Sequence, residues 1–393
     1  MNFNRQQKIL ITNALYAQEI LIEELKALGY RVTGNDRLNT TIQGSLNDTI
    51  RLNLKLRTAH RVLYHLFSFV AHDLLDLYKN IKEYEWRDII SEKGYFSVNS
   101  YCNQKNIRDN RIVSLKAKDA IADHFMKYLG RRPDSGKDNK QFVLFIYWVN
   151  DNCSVYIDTS GESIAKHGYR LYGWKAPLSE ALAASIILST RWDQENPFIN
   201  PMCGSGTLAI EAALLATGSY PGLFRQNYGF KYIKGFEERN FKDEIHELKS
   251  RIKKQKVPQI IATDINPDAL RMARRNAEKA GVDDLIHFSR CTFQDTPLGT
   301  GKGIVIMNPE YGERMGYVDK LRTTYGEIGD FFKNRCQGIL GYVFTGNPEL
   351  AKSVGLRTTR KIPFMNGKIE CRLLEYELYA GSEKNKRGKE KDY

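Results

Sequence analysis

Short apolar runs alternate with helical patterns through the second half of the chain, and this alternation limits the fold more than any other feature. Helices are predicted at residues 178–190, 207–217, 267–280 and 320–336, between strand-like runs that end near residues 200, 264, 290, 307 and 345. Such a pattern is typical of a doubly wound α/β domain with a parallel sheet. Residues 360–379 instead predict two strands joined by the hairpin pair Asn366-Gly367. We therefore expect a parallel sheet that ends in an antiparallel hairpin.

The first 160 residues predict two successive α+β units. In the first unit, strands are expected at residues 8–12, 30–33, 39–45 and 48–54, and a helix at residues 17–28. Helical spacing then predicts helices at residues 58–69 and 74–84. In the second unit, strands are expected at residues 95–102, 142–149 and 154–159, with a helix at residues 113–129 that ends at Gly130.

Two loops follow predicted strands of the α/β domain, at residues 200–207 and 308–312. Because the carboxyl ends of parallel strands meet at one edge of a sheet, we expect the two loops to lie side by side. The first loop contains Gly204-Ser205-Gly206, whose glycines let the backbone approach a ligand closely. Many nucleotide-binding proteins share such a loop, so it does not identify the ligand.

Two acidic residues narrow the choice of ligand. Asp264 ends the next predicted strand, where it can accept hydrogen bonds from both hydroxyls of an adenosine ribose. Asp295 follows the third strand and can accept from an adenine amine. The alternatives are that Asp264 caps the helix that begins at Pro267 and that Asp295 is an ordinary loop acid.

The second loop, Asn308-Pro309-Glu310-Tyr311, has the chemistry needed to hold a nucleobase amine. An exocyclic amine is conjugated with its ring, so it becomes nucleophilic only when acceptors hold its hydrogens and turn its lone pair toward the electrophile. The side-chain oxygen of Asn308 and the carbonyl of Pro309 can be those acceptors, and Tyr311 can stack on the base. The alternative is a simple turn, which Asn-Pro also favours.

The charge of the chain favours a polyanionic partner. Its net charge is +13, and lysines and arginines cluster between Arg108 and Arg132. That cluster predicts either an RNA-backbone surface or a solvated charged face. An insertion at residues 218–257 places aromatic residues among cations, which fits either base stacking or a lid over the pocket.

Other classes of protein are disfavoured. No apolar stretch approaches the roughly 18 residues that span a bilayer, and the N-terminus does not predict a signal peptide, so we expect a cytoplasmic protein. The six cysteines form no CxxC pair and the seven histidines show no ligand spacing, so we expect neither a metal site nor disulfides.

With these residues in place, the chain resembles the THUMP-domain class I RNA methyltransferases that use S-adenosyl-L-methionine. It is most similar to the bacterial branch that forms N2-methylguanine in 23S rRNA. The resemblance extends over nearly the whole chain and is carried by eight segments, at residues 158–162, 168–170, 176–180, 200–207, 264–267, 308–314, 366–367 and 371–373.

The resemblance implies a cofactor, a substrate and a set of site residues. It implies S-adenosyl-L-methionine, a flipped guanine, and capture of structured rRNA, either 23S rRNA or a large-subunit assembly intermediate, by the THUMP domain. The implied cofactor-binding residues are Asn200, Pro201, Cys203, Gly204, Ser205, Gly206, Thr207, Asp264, Ile265, Asp295 and Asn308. The implied catalytic residues are Asn308, Pro309, Glu310 and Tyr311.

Two positions depart from the family pattern. His167 stands where the family usually has arginine, in the linker after the THUMP domain. Glu310 stands where the second proline of Asn-Pro-Pro-Tyr is usual. The carbonyl of Pro309 is retained, so Glu310 either points to solvent or accepts a hydrogen bond from guanine N1–H.

The resemblance also predicts the domain limits. We expect a ferredoxin-like α+β unit at residues 1–60, a THUMP domain at 61–165, a Rossmann-like class I methyltransferase domain at 166–380 and a disordered basic tail at 381–393. Three other functions are left open: an N6-adenine methylase, an inactive ribosome-assembly factor, and, most distantly, a nicotinamide-dependent oxidoreductase. The sequence does not predict the oligomeric state.

Overall fold

A computed structural model of the chain describes residues 1–173, 178–253, 256–299, 302–312 and 315–379. Its contacts divide the chain into two compact units. The N-terminal unit contains residues 1–168 and 220–250, and the C-terminal unit contains residues 169–219 and the described residues from 251 onward. The predicted tail at residues 381–393 lies outside the described residues and stays a prediction.

The N-terminal unit is built on one eight-stranded sheet with the strand order β2-β3-β1-β4-β8-β7-β5-β6. Only the pairs of β5 with β6 and with β7 are parallel. Leu21, Ile50, Leu77 and Ile121, from helices α1 to α4 in turn, share one core with strand residues such as Val62. The elements are β1 (Gln7–Asn13), α1 (Gln18–Ala27), β2 (Val32–Asn35), β3 (Asn39–Gly44), α2 (Leu46–Lys55), β4 (Ala59–Val70), α3 (Leu74–Glu83), β5 (Tyr95–Asn103), α4 (Asn110–Leu129), β6 (Asp134–Gly136), β7 (Phe142–Val149) and β8 (Asn152–Asp158).

Two predictions for this unit are wrong. The helix expected at residues 58–69 is strand β4, which is buried on both faces: Val62 and Tyr64 lie in the main core, and Leu63 lies in a smaller cluster. A strand buried on both faces loses the alternation of polar and apolar residues, so its spacing resembled that of a helix. The strand expected at residues 48–54 is helix α2, which begins with a capping box between Ser45 and Asp48.

The C-terminal unit has the predicted doubly wound architecture. Its seven-stranded sheet has the order β11-β10-β9-β12-β13-β15-β14, and the strands from β11 to β13 are parallel. β15 is antiparallel to both β13 and β14, so the terminal hairpin is confirmed. The elements are α5 (Glu180–Ser189), β9 (Phe198–Pro201), α6 (Thr207–Ala216), β10 (Ile260–Asp264), α8 (Pro267–Ala280), β11 (Ile286–Arg290), β12 (Ile304–Met307), α9 (Met315–Arg335), β13 (Leu340–Thr345), α10 (Pro348–Ser353), β14 (Arg360–Asn366) and β15 (Ile369–Glu377).

The insertion after α6 packs into the N-terminal unit and contains helix α7 (Glu238–Ser250). The rings of Tyr228 and Phe230 stack with centroids 4.9 Å apart, and both side chains are fully buried in the core. Buried rings cannot stack on a nucleic-acid base or cover a pocket. Both interpretations of the insertion are therefore wrong for these two residues.

The close approach of α9 to the end of α10 gives a stability prediction. A Cβ added to Gly329 in α9 would lie 1.9 Å from the carbonyl oxygen of Val354. We expect Gly329→Ala to destabilise the C-terminal unit by about 3 kcal/mol, because backbone must move to relieve the clash. Urea unfolding of purified variants measures this difference.

Gly326 is the matched control, one helical turn earlier in α9. The nearest atom to a Cβ there is the carbonyl oxygen of Ser353, at 3.8 Å. We expect Gly326→Ala to be neutral or to stabilise by up to about 1 kcal/mol, because alanine favours helix. Equal stability of the two variants would contradict the close contact between Gly329 and the Val354 carbonyl.

Candidate active site

A cavity of about 610 Å³ lies at the carboxyl edge of the parallel strands in the C-terminal unit. Both loops singled out in the sequence contribute to it, so the prediction that they lie side by side is confirmed. Helix α9 forms another wall. The lining residues are Leu178, Asn200, Met202, Cys203, Gly204, Ser205, Thr207, Leu208, Asp264, Ile265, Asn266, Cys291, Thr292, Phe293, Gln294, Asn308, Pro309, Glu310, Leu321, Thr324 and Glu327.

The loop between β9 and α6 turns tightly against α8. Gly206 has a φ of +81° and caps the start of α6. A Cβ at this position would lie 2.9 Å from the Cβ of Ala273, so a larger residue would be both strained and crowded. Pro201 is buried in β9. Neither Pro201 nor Gly206 lines the cavity, and both support the loop from behind.

Asp264 holds this loop through its carboxylate. Its Oδ2 accepts from the backbone N–H of Gly204 at 2.9 Å, and its Oδ1 accepts from the N–H of Asn266 at 2.9 Å. A carboxylate has about four acceptor positions, so two remain for a ligand. Asn266, not Asp264, caps helix α8, since its Oδ1 accepts from the N–H groups of Asp268 and Ala269. The helix-cap alternative for Asp264 is therefore wrong.

Within the described part of the chain, two asparagine oxygens in the cavity wall have no hydrogen-bond donor. Asn200 is 1% exposed, and its amide nitrogen donates to the carbonyl of Ile306 at 3.0 Å. The Oδ1 atoms of Asn200 and Asn308 are both buried and accept no hydrogen bond from the described residues. A buried acceptor without a donor costs about 1–3 kcal/mol. Two of them at the ends of adjacent strands β9 and β12 are therefore acceptors available to a ligand in the cavity.

Tyr311 is positioned by the terminal hairpin. Its hydroxyl accepts from the Asn366 side-chain amide at 2.7 Å, and the Cys371 thiol lies 3.9 Å from the same oxygen. A Cβ at Gly346 would lie 3.1 Å from the Tyr311 ring, so this glycine leaves room for it. Tyr311 does not line the cavity as the structure stands. The antiparallel hairpin therefore fixes the end of the second loop.

Asp295 is, with Pro201, Gly206 and Tyr311, one of the predicted site residues that do not line the cavity. It ends a short 3-10 turn (Phe293–Asp295), is exposed, and accepts from the Thr292 hydroxyl at 2.7 Å. Its neighbours Phe293 and Gln294 do line the cavity. The adenine-binding role of Asp295 stays a prediction.

Sequence reasoning missed the contribution of helix α9. Leu321, Thr324 and Glu327 line the cavity at spacings of three residues, which places them on one helix face. Glu327 also accepts from the side-chain amide of Gln294 at 3.3 Å. The spacing was visible in the sequence, but nothing in it indicated which face of α9 meets the cavity.

Cys203 is not suited to act as a nucleophile. Burial, and to a smaller degree the nearby Asp264 carboxylate, raises the pKa of the Cys203 thiol well above its usual range. The thiol is therefore protonated at neutral pH, whereas cysteine attacks as the thiolate. Cys203 can pack against a ligand but is not expected to form a covalent bond with it.

Three known protein families match successive parts of the chain. The model of the RMKL-like methyltransferase domain matches residues 167–375. The chain belongs to this methyltransferase family. A THUMP domain matches at residues 71–158 and an RlmL ferredoxin-like domain at residues 9–63, so the predicted fold class and family resemblance are confirmed.

Some relatives of this chain are considerably longer proteins. The ribosomal RNA large subunit methyltransferase K/L of Syntrophotalea carbinolica is 34% identical over 381 residues, which cover 94% of this chain and 53% of the relative. The chain thus spans about half the length of the curated relatives it matches.

Solved structures of other proteins have the same fold over nearly the whole of this chain. A Listeria monocytogenes protein described as a predicted N6-adenine-specific DNA methylase is 28% identical, with a TM-score of 0.86 over 95% of this chain and 97% of that protein. SMU.472, crystallised with SAH, is 24% identical, with a TM-score of 0.84 over 97% of this chain and all of that protein, a likeness of fold.

The described residues form neither a membrane-spanning helix nor a metal-binding cluster. None of its described helices is long and apolar enough to cross a membrane. No group of three or more histidine, cysteine or acidic side chains among the described residues is arranged to hold a metal ion.

Proposed function

We propose that this chain transfers a methyl group from S-adenosyl-L-methionine to the exocyclic N2 amine of a guanine in RNA. Its proposed substrate is 23S rRNA or a large-subunit assembly intermediate. The observation that carries the proposal is the pair of buried amide oxygens on Asn200 and Asn308, which line the cavity with Asp264 and accept no hydrogen bond from any described residue. The relatives named for large-subunit rRNA methylation support the choice of substrate.

The residues of the first loop fit this cofactor. Asp264 retains acceptor positions for the two ribose hydroxyls, and Ile265 offers an apolar surface beside it, being 64% exposed. The buried Oδ1 of Asn200 can accept from the ammonium group of the methionine portion. When bound, the cofactor supplies an electrophilic methyl group.

The second loop prepares the amine for attack. Asn308 Oδ1 is buried, so a base amine that donates to it exchanges its bond to water for one in a dry site. The Pro309 carbonyl is the proposed second acceptor, and with both hydrogens held the nitrogen lone pair is directed toward the methyl donor. Tyr311, held by Asn366, is the proposed stacking partner of the flipped base. No general base is needed before transfer, because the alkylated amine loses its proton readily.

Glu310 is the proposed determinant of base choice. It is exposed and lines the cavity beside Asn308, so it can reach a base held there. Guanine presents adjacent donors at N1 and N2, which suits a carboxylate, whereas adenine N1 is an acceptor and is repelled. The departure from the usual proline therefore favours guanine over adenine.

Glu310→Gln tests this role. We expect kcat/KM for guanine methylation to fall by about tenfold, because a charge-assisted hydrogen bond becomes a neutral one. Affinity for the cofactor should stay unchanged, since Glu310 acts on the base. The measurement is steady-state methyl transfer to rRNA, and a variant as fast as the wild type would contradict direct contact with N1–H.

RNA capture is assigned to the N-terminal unit, which contains the THUMP domain. Exposed cations of the predicted cluster lie on α4 and the turn after it, including Arg111, Lys127, Arg131 and Arg132. Arg111, Arg131 and Arg132 pair with carboxylates, but such exposed pairs are weak and can exchange for phosphates. A cytoplasmic location is proposed with this substrate.

A methyl-transfer assay separates the proposal from the other functions. Tritiated S-adenosyl-L-methionine is incubated with deproteinised rRNA, tRNA or duplex DNA, and the products are digested to nucleosides. We expect label in N2-methylguanosine from rRNA. Label in N6-methyladenine would favour the adenine methylase, and cofactor binding in calorimetry without labelled product would favour an inactive assembly factor.

A further inference from the structure

Asn276 is a buried polar residue on an otherwise apolar face of helix α8. The other buried residues of this helix are Ala269, Leu270, Ala273, Ala277 and Ala280. Asn276 is 1% exposed. A buried amide needs partners for all of its donors and acceptors, so the direction of its hydrogen bonds reveals what it holds.

The Asn276 amide joins two segments that are far apart in sequence. Its Oδ1 accepts from the backbone N–H groups of Leu171 and Tyr172, at 2.9 and 3.1 Å. Its Nδ2 donates to the carbonyl of Tyr172 at 3.0 Å and to the carbonyl of Ser205 at 3.2 Å. Four bonds use the full capacity of the amide, which fixes its orientation.

The two segments are the linker (residues 169–172) and the cofactor loop (residues 200–207). The linker continues directly from Gly168, the last residue of the N-terminal unit before the C-terminal unit begins. Ser205 lines the cavity and lies between Gly204 and Gly206. One side chain therefore ties the backbone that leaves the RNA-binding half to the backbone that is proposed to cradle the cofactor.

Arg170 makes a second connection of the same kind. Its guanidinium donates to Thr207 Oγ1 at 3.1 Å and to Glu180 Oε1 at 3.2 Å, and it also donates to the carbonyl of Leu178. Thr207 ends the cofactor loop and lines the cavity. The linker is thus connected to the cofactor loop directly at Thr207 and through Asn276 at Ser205, on either side of Gly206.

We propose that Asn276 is a positioning residue that couples the linker to the cofactor loop, so that RNA binding and cofactor binding change each other's affinity. The proposal rests on the proposed function. Two ligands are coupled when both shift the same segment of a protein, and each then changes the affinity of the other by the same factor. Here a shift of the linker must break the Asn276 bonds or move the Ser205 carbonyl with it.

Asn276→Asp breaks one side of this connection. The carboxylate keeps an acceptor for the linker N–H groups but places its second oxygen against the carbonyls of Ser205 and Tyr172. Asn53→Asp is the matched control. Asn53 is also 1% exposed, donates to Thr49 and Thr159, and accepts from Ser160 within the N-terminal unit.

The experiment measures affinities on the full chain by calorimetry, with S-adenosylhomocysteine as one probe and a 23S rRNA transcript as the other. In the wild type we expect RNA to tighten S-adenosylhomocysteine binding by about fivefold, a typical coupling. In Asn276→Asp we expect binding without RNA to weaken by about tenfold and the RNA effect to vanish. Asn53→Asp should lose stability but keep the affinity and the coupling of the wild type.

Hydrogen exchange on the wild type tests the same connection without any substitution. We expect S-adenosylhomocysteine to slow exchange of the Leu171 and Tyr172 amides, because ordering the cofactor loop strengthens their bonds to Asn276. Two results would overturn the inference but not the proposed function. One is coupling in Asn276→Asp as large as in the wild type, and the other is exchange of the wild-type Leu171 and Tyr172 amides that S-adenosylhomocysteine does not slow. A wild-type chain that does not bind S-adenosylhomocysteine would overturn the proposed function and the inference with it.

Discussion

Asn308→Ala is expected to lower kcat by about 100- to 1,000-fold, the usual effect of removing one preorganised polar contact to a reacting group. The dissociation constant of S-adenosyl-L-methionine should change by less than about threefold, because Asn308 is proposed to hold the base amine. The fold should be unaffected, since Asn308 Oδ1 accepts no hydrogen bond from the described residues and its removal leaves no protein donor unsatisfied there. Single-turnover methyl transfer at saturating rRNA measures the chemical step.

Asn308→Asp provides the internal control. It keeps an acceptor oxygen at the same position, so part of the activity should return relative to alanine. Calorimetric binding of S-adenosylhomocysteine and thermal unfolding of both variants would separate a chemical defect from a folding defect. Full activity of Asn308→Ala would contradict the amine-holding role and with it the proposed mechanism.

Asp264→Ala is expected to weaken cofactor binding by about 100-fold or more. Two hydrogen bonds from ribose hydroxyls to a carboxylate contribute about 1.5–3 kcal/mol each, and both are lost. The substitution also leaves the N–H of Gly204 without its acceptor, which loosens the cofactor loop. The dissociation constant of S-adenosylhomocysteine is the quantity to measure.

Asp268→Ala is the matched control for Asp264→Ala. Asp268 is an acid only four positions further along, in the first turn of α8, but it is exposed and pairs with Arg271. Exposed pairs of this kind contribute little, so its loss should leave cofactor affinity within about twofold of the wild type. If Asp264→Ala binds as tightly as Asp268→Ala, the ribose-binding role is wrong.

The C-terminal fold was predictable because each element carried its own local signal. Buried strands such as β12 read as short apolar runs, and helix α8 has its Asn266 cap, a proline at its first position and Gly281 after its end. Strand β4 was mispredicted because it is buried on both faces, and this depends on neighbours that are distant in sequence. Helix α2 did carry a local signal, the Ser45 capping box, which its apolar strand-like spacing obscured.

The candidate site also has parts that the sequence predicts and parts that it does not. The two loops could be predicted because a strand, a special loop and a helix follow one another directly along the chain. The residues that position them could not. Asn276 reaches Ser205 and Asn366 reaches Tyr311 only after the chain has folded, across 71 and 55 positions. Such contacts leave no mark on local spacing, because they depend on which helix and hairpin faces meet.

Strand β4 runs across the border between two recognised segments of the N-terminal half. The ferredoxin-like match ends at residue 63 and the THUMP match begins at residue 71, whereas β4 extends from Ala59 to Val70 and pairs with β1 on one side and β8 on the other. Separating the two segments at this border would therefore divide an interior strand of the sheet and expose unpaired strand edges. Removing either segment would therefore leave β4 without one of its two partner strands.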